Sequence, residues 1–209
     1  MAKQAINLAL ATGVLALGIS VAVSAETSRG GPDIGTANAS MLADTCNACH
    51  GKDGISTGPA SPSIAQMEKT AFIEAMQAFR SGETYGTIMG RIAKGYTDEE
   101  IERMASHFAT RKFVPAQQKF DPAMAKKGAK LHDKYCGSCH EEGGKPLTDG
   151  DAYYLLAGQW APYLENTLTD FREDRRKMPK MMKNKLKKLI AKEGEKGLAA
   201  IIAFYASQQ

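Results

Sequence analysis

The sequence is short of most of what a self-sufficient core is built from. Among 209 residues there is one tryptophan, and aromatic residues make up 7%. Histidine occurs four times and cysteine four times. Four cysteines allow two bridges at most, which excludes a disulfide-dense scaffold. Neither sign of charge dominates, since 27 Lys and Arg face 23 Asp and Glu for a formal +4. That balance is too weak for a nucleic-acid protein without a recognised basic motif. No segment alternates with the period of a strand, and no G-x-G-x-x-G fingerprint is present. Apolar residues at 43% and charged residues at 24% exclude a chain disordered throughout. A lean helical core is left, and it needs a filler that is not an amino acid.

Only one segment is long and apolar. Ala5 to Ala25 reads AINLALATGVLALGISVAVSA, and Lys3 is the only charge before Glu26. A positive start, an apolar run and small residues at Val23 and Ala25 predict a secretory signal over 1–25, cleaved after Ala25. An uncleaved membrane anchor is the alternative, because the run approaches bilayer length. Cleavage would leave 184 of the 209 residues and place the chain in the periplasm. Residues 26–39 (ETSRGGPDIGTANA) read as a flexible lead-in. The stretch RKFVPAQQKFDP, with two prolines and little periodicity, marks a break. It sets a linker at 113–122 between a first domain over 40–112 and a second over 123–209.

The two halves repeat one another. Cys46-Asn-Ala-Cys49-His50 and Cys136-Gly-Ser-Cys139-His140 lie 90 residues apart. Phe72, Met76, Phe79 and Arg80 match Leu164, Leu168, Phe171 and Arg172 at an offset of 92. Ile101, Met104, Ala105 and Phe108 match Leu198, Ile201, Ile202 and Tyr205 at 97. Landmarks in one order with slowly drifting offsets indicate a duplicated domain. The last set is an i, i+3, i+4, i+7 stripe in both halves, which predicts amphipathic helices and an all-α fold. Thr97 and Glu100 make a capping-box pattern before the first of them.

C-x-x-C-H supplies the missing filler. Two thiols at that spacing can add to the vinyl groups of one haem, with the following histidine beneath the iron. The chain is thus expected to hold two covalent haem c groups through Cys46, Cys49, Cys136 and Cys139, with His50 and His140 as axial ligands. A zinc site would more naturally pair two C-x-x-C motifs within one domain. A redox C-x-x-C would need a βαβ context, which is lacking. For the sixth ligand, His107 and His132 read as surface or packing residues, and methionine is the better supply. Met67, Met76, Met89 and Met104 compete in the first half. Met76 and Met104 lie on helix stripes, whereas Met89 falls in an irregular segment and is chosen. In the second half Met178, Met181 and Met182 cluster. The repeat offsets reach Met181 and Met182, with Met182 preferred and Met181 its competitor. An axial histidine needs its other ring nitrogen oriented, and the Pro62 carbonyl is the expected partner of His50, with a position near Tyr154 its counterpart for His140.

These residues support a resemblance. The paired C-x-x-C-H domains, LAGQW (Leu156 to Trp160) and the AKGYTDEEI run look like the two-domain periplasmic dihaem cytochromes c, so that the chain would hold two tandem class I cytochrome c domains. GPASPSIAQM (Gly58 to Met67), IMGRIAKGY (Ile88 to Tyr96), GAKLHDKYC (Gly128 to Cys136) and the terminal FYASQQ resemble more closely the cytochrome subunit of flavocytochrome c sulfide dehydrogenase. That likeness implies a complex with an FAD-bearing sulfide dehydrogenase subunit. This chain would then have no catalysis of its own, and would pass electrons singly to a soluble periplasmic acceptor such as a small cytochrome. Within it, Met89 matches the axial methionine of the first domain. A free-standing dihaem carrier serving a terminal oxidase or reductase is the other reading. Finally, residues 172–192 carry Arg172, Arg175, Arg176, Lys177, Lys180, Lys183, Lys185, Lys187, Lys188 and Lys192. They form either a surface that steers an acidic partner or a plain solvated helix face with Leu186, Leu189 and Ile190 turned inward.

Overall fold

The capping box expected at Thr97 is present in the computed structural model of the protein. Thr97 Oγ1 accepts from the Glu100 amide at 3.2 Å, and Glu100 Oε2 accepts from the Thr97 amide at 2.9 Å. It starts a helix, Asp98–Ala109, whose stripe of Ile101, Met104, Ala105 and Phe108 is fully buried. The structure describes residues 36–145 and 155–209. The expected signal over 1–25 and nearly all of the lead-in lie outside the described residues.

The described helices are α1 (Ala39–Asp44), α2 (Asn47–His50), α3 (Lys69–Ser81), α4 (Met89–Ile92), α5 (Asp98–Ala109), α6 (Pro122–Tyr135), α7 (Ala161–Arg172) and α8 (Lys180–Ala206). No strand occurs among the described residues. Helix α8 is broken at Gly194, where φ is 65°, so it reads as 180–193 followed by 195–206. Asp121 caps α6 by accepting from the Ala123 and Met124 amides, with Pro122 at the first helical position, where its missing N–H costs nothing.

Two hydrophobic cores form, one for each half. The first gathers Leu42, Ile64, Phe72, Met76, Ile101, Met104 and Phe108. The second gathers Leu131, Tyr135, Leu164, Leu189, Leu198, Ile201, Ile202 and Tyr205. The duplication is visible in main-chain bonds as well as in sequence. Gly54 O accepts from the Ile64 and Ala65 amides, and Gly144 O from those of Leu156 and Ala157. Gln66 N donates to Phe108 O, and Gly158 N to Tyr205 O, both at 2.8 Å. Gln66 and Gly158 occupy the same left-handed position, with φ of 60° and 72°.

Residues 112–121 are not helical, as the break read at this stretch predicts, yet they are held along their length. Phe113 and Ala116 are buried. The Phe113 amide donates to Gln66 Oε1, and the Ala116 amide to Gly158 O. Gln118 donates to Gln159 O and accepts from the Ala161 amide. The segment between the halves is therefore a pinned strap.

The halves also meet directly within the packed unit Ala37–Gln209. Gln159, 2% exposed, accepts from the Ser63 amide at 2.9 Å and donates to the Ser63 carbonyl at 3.0 Å. Its neighbour Trp160 donates its indole N–H to Ser56 O and packs over Gly58, where a Cβ would lie 2.4 Å from the ring. A second contact joins the Tyr85 amide to Arg175 O, with the Arg175 and Arg176 guanidiniums over the rings of Tyr85 and Phe79. Gln159→Leu leaves both main-chain groups of buried Ser63 unpaired, at a cost of about 1–3 kcal/mol each. Denaturant unfolding of this variant is expected to separate into two transitions, one per half. A single transition at the wild-type midpoint would contradict the clasp.

Candidate haem sites

Each C-x-x-C-H motif folds as one helical turn, which is why the spacing works. The Cys49 and His50 amides donate to Cys46 O at 3.2 and 2.9 Å, and those of Cys139 and His140 to Cys136 O at 3.1 and 3.0 Å. A helical turn brings positions i, i+3 and i+4 to one face, so both sulfurs and the imidazole face the same way. The turn follows α1 in the first half and α6 in the second. Thr45 Oγ1 bonds Tyr96 OH at 2.6 Å, tying the first turn to the segment after α4. None of the four cysteines is in a disulfide.

The chemistry of the donor set fits haem attachment rather than thiol redox work. Reactive C-x-x-C thiols have depressed pKa values. Here burial raises the Cys46 thiol and pushes Cys136 up to about 11, with the Tyr205 hydroxyl and then Lys185 pulling the latter the other way. His50 is held below its ordinary value chiefly by burial, so it stays neutral, as an iron ligand must. Its Nδ1 donates to the Pro62 carbonyl at 2.8 Å, the partner expected from sequence, which leaves Nε2 for a metal. His140 is likewise lowered by burial, then by the nearby His132. The counterpart position near Tyr154 lies outside the described residues.

The methionines separate by helical phase. The segment around Met89 is not irregular, as the sequence reading had it. Met89 opens the one-turn helix α4, followed by a 3-10 turn at Ala93–Gly95. The glycines at 86, 90 and 95 obscure this helicity in the sequence, since they weaken a helical pattern. Met89 and the fully buried Ala93 share one side, Met89 packing on the first core as Cys46 does, while Ile88 and Ile92 are exposed. Met67 also packs on that core, and Met76 and Met104 are buried in it. In the second half Met182 is half-buried and in phase with Leu186 and the buried Leu189. Met181, one position away, is 62% exposed. Met178 lines a small cavity beside Phe171, Leu186 and Ile190.

His107 and His132 are packing residues. His107 stacks edge-on against Phe108. His132 is 1% exposed, and its Nδ1 shares a 2.9 Å hydrogen bond with the Tyr205 hydroxyl. Burial lowers its pKa from the ordinary 6.5. The unfolded chain therefore takes up a proton that the folded chain refuses, and stability is full above about 6.5 and falls as pH drops toward the folded value. His132→Gln is expected to flatten the unfolding free energy between about pH 5 and 6.5, by about 1 kcal/mol per pH unit at most. An unchanged slope would contradict a neutral buried imidazole. Sequence reasoning missed this pair, the Thr45–Tyr96 bond and the Gln159 clasp. His132, Tyr205, Tyr96 and Gln159 all lie in strings it had singled out, but nothing in those strings shows which partner each one bonds.

Comparisons with known proteins agree with this geometry. Residues 123–191 match the family described as cytochrome c oxidase, cbb3-type, subunit III. Cytochrome c4 of Azotobacter vinelandii is 30% identical over 217 aligned positions, covering 95% of this chain and 97% of the relative. The cytochrome subunit of sulfide dehydrogenase of Chlorobaculum tepidum is 41% identical over 68 residues, 32% of this chain and 61% of that protein. The crystal structure of reduced recombinant cytochrome c4 from Pseudomonas stutzeri superimposes with a TM-score of 0.67 at 27% identity, covering 83% of this chain and all of that one. Full-length similarity is thus to cytochrome c4, and the match to that sulfide dehydrogenase subunit covers a third of the chain. The chain belongs to the dihaem class I cytochromes c of the cytochrome c4 type, with two tandem cytochrome c domains and two covalent haem c groups in an electron-transfer protein.

Proposed function

We propose that the protein is a free-standing periplasmic electron carrier, exported by the 1–25 signal, with domains over 40–112 and 123–209. Cys46 and Cys49 bind one haem and Cys136 and Cys139 the other. His50 with Met89, and His140 with Met182, are the axial pairs. Bound haem supplies a one-electron couple, and a methionine opposite histidine sets it toward the high-potential end. The chain's own part is to orient His50 through Pro62 and to keep both histidines neutral by burial. It also packs Met89 against an apolar core that excludes water, and the Gln159 clasp fixes the two halves. No step of catalysis is assigned to these residues.

The observation that carries the free-carrier reading is similarity to a cytochrome c4 over nearly the whole of both chains. The specific match to a sulfide dehydrogenase cytochrome subunit supports a second reading, association with an FAD-bearing partner that oxidises sulfide. Purification from the periplasm of the native host separates them. The carrier emerges alone, and sulfide does not reduce it without added enzyme. A stoichiometric flavoprotein, together with haem reduction by sulfide, would establish the second reading.

A further inference from the structure

The two segments that lead into the axial methionines touch each other. Helix α3 ends at Ser81, and residues 82–88 run from it to Met89. Helix α7 ends at Arg172, and residues 173–179 run from it to α8, whose first turn carries Met182. The duplication places like beside like, because 82–88 meets 173–179 across the boundary between the halves. The Tyr85 amide donates to Arg175 O at 3.1 Å. The Arg175 guanidinium lies 5.4 Å from the Tyr85 ring centre, and that of Arg176 lies 5.6 Å from the Phe79 ring centre. Lys177 and Glu83 close the outer edge with a 2.7 Å ion pair.

Asp170 holds both arginines in place. Its side chain is 14% exposed, and its carboxylate accepts from Arg175 Nε at 2.8 Å and from Arg176 Nε at 3.3 Å. Its main-chain oxygen accepts from the amides of both. A carboxylate bonded to a planar guanidinium fixes the plane as well as the charge, and a fixed plane can cover an aromatic ring. Arg176 is the half-buried member of the two. Its ring, Phe79, packs on the first core as Met89 does. Gly86 closes on the same ring so tightly that a Cβ there would lie 2.7 Å from it. Tyr85 N is the last amide before Met89 to find a main-chain acceptor among the described residues, and that acceptor belongs to the second half. The approach to the first methionine is therefore tied down from the other domain. We propose that Arg176, held by Asp170, is a positioning residue for Met89, so that the second domain sets how firmly the first domain's sulfur is offered to iron. This rests on Met89 as the axial ligand of the first haem, and adds a residue that acts on that haem from the opposite half.

The test uses oxidised holoprotein carrying Met182→Ala, in which the far-red sulfur-to-iron absorption that remains belongs to Met89. Imidazole, which competes with the methionine sulfur for ferric iron, is added until that band is gone. Introducing Arg176→Ala is expected to lower the imidazole concentration at half-loss about tenfold, the equivalent of one charge-assisted contact. Asp170→Asn, a milder change of the same shape, is expected to lower it in the same direction. Arg172→Ala removes an equal charge from a residue that pairs with Glu195 inside its own half, and is expected to leave the titration unchanged. Equal half-loss concentrations with and without the Arg176 and Asp170 substitutions would overturn the proposal, even where denaturant unfolding shows those variants to be less stable. An equal shift in Arg172→Ala would overturn it as well, since the effect would then be one of charge alone. An unchanged titration of a band that Met89→Ala abolishes removes this proposal and leaves the axial ligand standing. A band that survives Met89→Ala removes the ligand, and the proposal with it.

Discussion

Replacing Met182 by alanine is expected to abolish half of the far-red sulfur-to-iron absorption of the oxidised protein, while Met181→Ala leaves it whole. The two residues are adjacent, and composition does not choose between them. A helix turns 100° per residue, so neighbours face different surroundings. Met182 falls in phase with Leu186 and buried Leu189, and Met181 falls among the outward lysines with most of its side chain in solvent. A sulfur pointing to solvent is not available to iron held between the C-x-x-C-H turn and the core. Met89→Ala removes the other half of the band, and the double variant removes all of it. The affected haem also loses the methionine that favours its reduced form, so one of the two potentials falls. Loss of the band in Met181→Ala or Met178→Ala, with Met182→Ala unaffected, would reassign the ligand.

Gly128→Ala is expected to be among the most damaging single-methyl additions in the described residues. Helix α6 meets α8 at this glycine, and an added Cβ would stand 1.9 Å from the main-chain oxygen of Ala200 and 2.8 Å from Phe204 Cβ. Alanine is the better helix former by about 1 kcal/mol, which by itself would stabilise α6. The steric term opposes it. Overpacking costs about 1–3 kcal/mol when side chains can yield, and here main chain has to move. Cys136 follows directly at the end of α6, so separating the helices also displaces the second haem-binding turn. The variant is expected to lose several kcal/mol in denaturant unfolding and to be recovered largely with one haem. Gly95→Ala is the control: its Cβ would meet nothing within 4 Å, and the change is expected to fall within about 0.5 kcal/mol. Wild-type stability in Gly128→Ala would mean that the two helices do not approach as closely as described.

Much of the architecture was legible in the chain because it depends on local pattern. The Ile101 to Phe108 and Leu198 to Tyr205 stripes, the Thr97 box and the offsets of the repeat are consequences of helical period, and the helices follow. Pro62 as the partner of His50 was legible because the turn after a C-x-x-C-H motif returns over the imidazole. What was not legible involves partners distant in sequence. Gln159 pairs with Ser63 across 96 positions, and His132 with Tyr205 across 73. No spacing rule reaches that far. The helical turn at Met89 was hidden by glycine, and the pinning of the strap at 112–121 was hidden because its bonds go to side chains and loops rather than to a periodic neighbour. The finer resemblance to a sulfide dehydrogenase subunit rested on short strings, and full-length similarity led to cytochrome c4 instead.

The most direct measurement is the intact mass of the chain purified from the periplasm, after acidified acetone has stripped any haem that is not covalently bound. The account predicts a polypeptide beginning at Glu26 with two haems attached. Cys46→Ser with Cys49→Ser would carry one haem, as would Cys136→Ser with Cys139→Ser. A chain that emerges bare, or with a single haem in the wild type, would contradict it.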